Sequence, residues 1–94
     1  MNEDKERAVV TVLGSDKVGI VSNITEVIAK NNANIIDISQ TLLEDLFTMI
    51  MIIELDELNT NFENLKKELE KKGEKLQVKI MLQHEKIFRY MHRI

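Results

Sequence analysis

The sequence predicts an α+β fold: a four-stranded antiparallel sheet, two helices on one face, and a short C-terminal helix. Three observations predict it. Short β-branched runs alternate with two amphipathic segments of helical period, in the order strand, helix, strand, strand, helix, strand. The first and third of these strands are apolar on both faces, as central strands are. The 94 residues are 44% hydrophobic and 31% charged, a balance that suits one small core. We expect one domain over 1–94, with its core at 7–84 and a tail helix at 85–94.

Residues 7–13, RAVVTVL, read as the first strand, with Ala8, Val10 and Val12 on one face and Val9 and Leu13 on the other. A junction follows, LGSDKVGI, that holds two of the chain's three glycines, Gly14 and Gly19. The next run places Ile20, Val21, Ile24, Val27 and Ile28 at helical spacing, with Ser15 or Asp16 as N-cap. NNAN at 31–34 ends that helix, because asparagine tolerates the left-handed conformation. Residues 35–43 alternate, Ile36, Ile38 and Leu42 against Asp37, Ser39 and Thr41, which predicts a half-buried strand. Glu44-Asp45 is a tight turn into the third strand, 46–55.

The second helix is expected at 59–73, with Thr60 and Glu63 as a capping box and Gly73 just past its end. The last strand is expected at 74–84. The tail places Ile87, Phe88 and Met91 at helical spacing and reads as a short amphipathic helix. The whole order is the split βαβ pattern of ferredoxin-like folds. Two helices cover one face of such a sheet. The other face, apolar at its centre, calls for the tail or a second copy of the chain, so a homodimer is expected.

Composition excludes several functions. With no cysteine, disulfides, thiolate metal sites and metallochaperone chemistry are out. The longest apolar run, Met49 to Ile53, is far too short to span a membrane, and no signal-like stretch follows the charged start, so a cytoplasmic location is expected. The net charge of −3 argues against nucleic acid. An RNA-binding sheet needs aromatics on its first and third strands, and only Phe47 is there. His84 and His92 lack the companions a metal site needs. Ser15 and Ser22 have no adjacent base, and the junction has Lys17 but no arginine to hold a phosphate. We expect no catalytic residues, no cofactor and no enzyme.

The glycine junction has two readings. In the structural one, Gly14 makes a left-handed turn, Gly19 lets the helix approach the sheet, and Asp16 caps. In the functional one, amides at the helix N-terminus near Val18–Ile20 receive a carboxylate while Asp16 receives an ammonium, which together suit a zwitterionic amino acid.

GSDKVGIV after a strand, with NIIDISQT, EDLFTMIM and HEKIFRYMHRI, resembles the ACT domain over residues 7–84. The whole chain is similar to small stand-alone ACT-domain proteins of uncharacterised function. Val18 stands where many ACT domains have proline. The resemblance implies a regulatory domain that binds an amino acid or similar metabolite at a homodimer interface and acts on a client enzyme or regulator. It places the ligand at Gly14, Ser15, Asp16, Lys17, Val18, Gly19 and Ile20, with Asn34, Ile35 and Asp37 on the second strand. The alternative is a protein-interaction module that uses the free sheet face and the tail, without a small-molecule ligand.

Overall fold

The computed structural model describes residues 6–15 and 18–92. The chain runs β1 (Arg7–Ser15), α1 (Ile20–Lys30), β2 (Asn34–Leu43), β3 (Leu46–Glu54), α2 (Phe62–Leu76), β4 (Lys79–His84) and α3 (Glu85–Met91). All neighbouring strands are antiparallel, in the order β2-β3-β1-β4. This is the expected ferredoxin-like βαββαβ sheet with an added C-terminal helix. The two strands apolar on both faces, β1 and β3, are the central pair.

The core lies between the sheet and the two long helices. Ala8, Val10 and Val12 of β1 face Met49, Met51 and Ile53 of β3, and all six are fully buried. Ile24 and Ile28 of α1 and Leu65 and Leu69 of α2 close over them. Each such aliphatic side chain contributes about 1.5–3 kcal/mol by leaving water. The period-2 and period-3.6 patterns read from the sequence therefore meet in one layer.

Four local expectations are corrected. The glycines exchange roles. Gly14 is extended within β1, opposite Phe47, and a Cβ there would lie 2.7 Å from Val78 Cγ1. Gly19 is the left-handed one, φ 91, at the N-cap of α1. Ser15 belongs to β1 and does not cap, and Asp16 lies outside the described residues. Next, α2 runs through Gly73 to Leu76. Gly73 is buried where a Cβ would meet the Val78 carbonyl at 2.8 Å, so this glycine serves close packing and not termination. The left-handed end is Gln77, φ 61, and β4 starts only at Lys79. At the other end of α2 the cap is Asn61, whose side chain accepts the Asn64 N–H at 2.8 Å, not Thr60. Two left-handed turns fall where expected: Asn32, φ 62, after α1, and Glu44, φ 56, in the hairpin.

The fourth correction concerns β2. A half-buried strand was expected, yet all ten of its residues are exposed. It is an edge strand, paired with β3 on one side only. A bulge also resets its alternation: the register slips between Ile35 and Asp37. Ile35 pairs with Ile53 and Ile38 with Met51, so both lie on the helix side, and Ile36 is the extra residue. Asp37, Ser39 and Thr41 are on the opposite face, as expected.

One polar network ties the helices together. Asn31, buried at the end of α1, donates to the Val27 carbonyl at 2.8 Å and to Glu68 Oε1 of α2 at 3.0 Å. Lys30 forms an ion pair with the same carboxylate. The Lys30 hydrogen bond and then the Asn31 hydrogen bond hold Glu68 below the usual carboxylate value. A depressed pKa means stability that is present above the unfolded carboxylate's pKa and lost as pH falls through the folded one. The urea midpoint of Glu68→Gln is therefore expected to fall less than that of the parent between about pH 6 and about pH 3. Equal acid losses in both proteins would remove Glu68 from the acid limb.

Candidate functional site

At the exit of β1, Gly14 and Ser15 pair with Phe47 and Leu46, beside the Glu44-Asp45 hairpin. Asp16 and Lys17 lie outside the described residues. Val18 is fully exposed, and Gly19 turns the chain into α1. The Ile20 side chain is buried in the core, so only its backbone could take part in a site at this turn. Having no side chain, Gly19 cannot cap the helix; its carbonyl instead accepts from Asn23 Nδ2 at 2.7 Å and Ser22 Oγ at 3.2 Å. These two bonds draw the polar side chains of the first turn back along the helix. The leading amides stay at the positive end of the dipole, suited to an anion.

The second group is not here. Asn34 pairs with Glu54 at the far end of β3, and Asp37 with Ile52. Seven steps along β3 at about 3.3 Å each separate Asn34 from Gly14 by about 23 Å. The sequence-predicted set therefore forms two clusters at opposite ends of one sheet. A shallow groove of about 600 Å³ runs along the outer face of α1, lined by Ser22, Asn23, Thr25, Glu26, Ala29 and Ile35. It reaches from the first turn of the helix to the start of β2. Ser22 and Asn23 line this groove and were not among the candidate ligand residues expected from sequence. Their signal was available: two polar residues three and four positions after the junction glycine, within reach of its carbonyl on the first helical turn.

Asp37 has a local task. Its Oδ1 accepts the Ile38 N–H at 2.8 Å. That amide belongs to the free edge of β2, so the carboxylate occupies one donor that a further strand would use. His84 stacks on Phe62, ring centroids 4.0 Å apart, and His92 on Phe88 at 4.2 Å. Among the described residues no three acidic, histidine or cysteine side chains converge as metal ligands.

The sequence pattern of the ACT domain matches residues 6–83, nearly the whole of this sheet-and-helix unit. The chain belongs to the ACT domain family. It is 56% identical to a UPF0237 protein of Methanocaldococcus jannaschii over 88 residues, 94% of this chain and 98% of that one. A UPF0237 protein of Listeria innocua is 47% identical over 94% of this chain and 99% of its own. Among solved structures, an ACT domain protein from Streptococcus pneumoniae superposes with TM-score 0.77 at 43% identity, covering 88% of this chain and 93% of that one. ACT domains commonly serve as small-ligand-binding regulatory domains. In this ACT domain no helix among the described residues is long and apolar enough to cross a membrane.

Proposed function

We propose that this ACT domain is a cytoplasmic, non-catalytic regulatory domain that binds a small zwitterionic metabolite, an amino acid or close relative, between two copies of the chain. One observation carries the reading. The two clusters of candidate ligand residues lie at opposite ends of a sheet whose edge, β2, is ten residues long, exposed throughout and unpaired on one side. Antiparallel pairing of two such edges about a two-fold axis sends the start of one β2 toward the end of the other. Asn34 and Asp37 of a second copy then approach the Gly14–Ile20 junction of the first. Neither chain alone holds a complete site.

In this arrangement the helix N-terminal amides take the carboxylate and an acidic side chain takes the ammonium. Binding favours the paired state, because only that state presents both halves, and a client enzyme or regulator reads the change. Asp37 must release the Ile38 N–H for pairing to run the full length of β2. A ligand ammonium near Asp37 supports that release.

Thermal unfolding against a panel of amino acids tests the reading. A ligand that binds only the folded state is expected to stabilise it by roughly 2.7 kcal/mol at a hundredfold excess over its Kd. Asp37→Ala is expected to abolish that shift and leave the unliganded midpoint nearly unchanged, since Asp37 is exposed. A panel with no shift at millimolar ligand would overturn the reading in favour of an interaction module. Truncation before Glu85 would then be the next variant, since α3 borders the free sheet face.

A further inference from the structure

The two edges of the sheet differ. At β2 the bulge at Ile36 and the Asp37 carboxylate on the Ile38 N–H interrupt the row of free backbone groups. β4 is the other edge and pairs only with β1, in unbroken register from Lys79 to His84. Lys79, at its first position, is the one charged residue on it. The tail helix α3 folds back over the face of β1 and β4 away from α2, where Val9 is buried and Gln83 Nε2 contacts Met91 Sδ at 3.3 Å. A groove of about 550 Å³ runs along the outer edge of β4. Its walls are Lys66, Glu70 and Glu74 of α2 and residues 78–83.

α2 and β4 run antiparallel, since Phe62 stacks on His84 while Gly73 lies against Val78 and Ile80. Lys66 therefore stands toward the His84 end of the groove and Glu74 toward the Lys79 end, with Glu70 between them. Four residues of helix rise about 6 Å, and two residues of strand about 6.8 Å. The stripe of Lys66, Glu70 and Glu74 thus matches the period of a strand laid beside it. Among the described residues no hydrogen bond or ion pair engages these three side chains.

We propose that this groove takes an extended segment of another protein as a fifth strand, antiparallel to β4, with one acidic and then two basic residues at every second position. The acidic residue meets Lys66, and the basic residues meet Glu70 and Glu74. Main-chain bonds to β4 supply affinity, and the charges set register and direction. The residues between them turn to the other face of the sheet, beside Met81, which is 42% exposed, and are apolar. A second copy of the chain is the poorer occupant. Paired through β4 about a two-fold axis, it brings its own α2 alongside and sets Glu70 against Glu70 at the middle of the stripe. The groove lies at the edge opposite β2, so this inference does not rest on the metabolite reading.

Two synthetic peptides test the proposal: TEVKVKT and its charge-reversed form TKVEVET. Each is titrated into the isotope-labelled chain and followed by amide NMR. The first is expected to bind more tightly by about tenfold or more, with shifts concentrated on β4 and α2 and slowed amide exchange along β4. The combined variant Lys66→Glu, Glu70→Lys, Glu74→Lys changes only exposed or half-buried positions and is expected to invert the preference. No binding of either peptide at millimolar concentration, equal binding of both, or shifts that map to β2 overturns the proposal. Loss of preference in the charge-swapped protein without inversion does the same. Shifts of β4 amides that depend on protein concentration in the absence of peptide would assign the edge to a second copy and overturn it as well.

Discussion

Replacing Leu69 by alanine is expected to destabilise the domain by about 2–5 kcal/mol, as deletion of a fully buried leucine does when the surroundings relax only in part. Leu69 has no exposed surface and sits mid-way along α2 above the sheet. Relaxation is restricted here. One turn on, Gly73 lies so close to β4 that even a methyl group would strike the Val78 carbonyl, and the Val78 N–H donates to the Gly73 carbonyl at 2.9 Å. Directly before Leu69, Glu68 ties the middle of α2 to α1 through Asn31 and Lys30. With both neighbours held, α2 cannot settle inward and the cavity persists. A domain of this size has a total stability of only about 5–14 kcal/mol, so the variant is expected to lose about 10–30 °C in Tm. Urea and thermal unfolding measure it directly. A loss under about 1 kcal/mol would mean that α2 is not clamped as described.

Gly19→Val is expected to cost about 2–3 kcal/mol, because a β-branched residue has no comfortable conformation at positive φ. The φ of 91 is required where β1 hands over to α1, and it aims the Gly19 carbonyl at Asn23 and Ser22. A graded series isolates the cause. Asparagine tolerates left-handed backbone and is expected to cost least, alanine about 1–2 kcal/mol, valine most. Packing alone would rank the three by volume, placing alanine as mildest, since the nearest neighbour of a Cβ here is the Asn23 amide at 3.3 Å. Equilibrium unfolding of the three variants therefore separates backbone strain from crowding. The same series bears on ligand binding. If the junction amides receive a carboxylate, Gly19→Asn is expected to retain the ligand-induced thermal shift better than Gly19→Val at matched excess of ligand.

The position of the glycine junction was legible from sequence, but not the roles of its glycines. Gly14 to Ile20 stood out because glycine is scarce in this chain and two glycines flank one helix start. What they do there was read the wrong way round, since Gly14 answers to Val78, 64 positions away in sequence, and no local rule reports such a neighbour. Gly73 was misread for the same reason. A glycine near a helix end usually terminates it, but this one is kept small by the strand beneath it, and Gln77 takes the left-handed turn instead. Asn34, Ile35 and Asp37 were grouped with the junction by family resemblance, while the antiparallel path of α1 carries them to the other end of the sheet.

Strand order, the two covering helices and the central place of β1 and β3 follow from residue patterning alone, because the period of apolar side chains states directly which faces must leave water. Patterning also identifies the helix-facing leucines and isoleucines and the asparagine-rich C-terminal end of α1. It cannot report how many neighbours a strand has. The alternation of β2 promised a half-buried strand, and the fold leaves it an exposed edge with a bulge at Ile36, since burial depends on what the helices reach and not on the strand's own residues. Glycine roles, the Asn31–Glu68 tie and the position of α3 over Val9 likewise rest on contacts between residues distant in sequence. Those contacts are set by chain packing in three dimensions, where steric fit, rather than local preference, is the deciding energy.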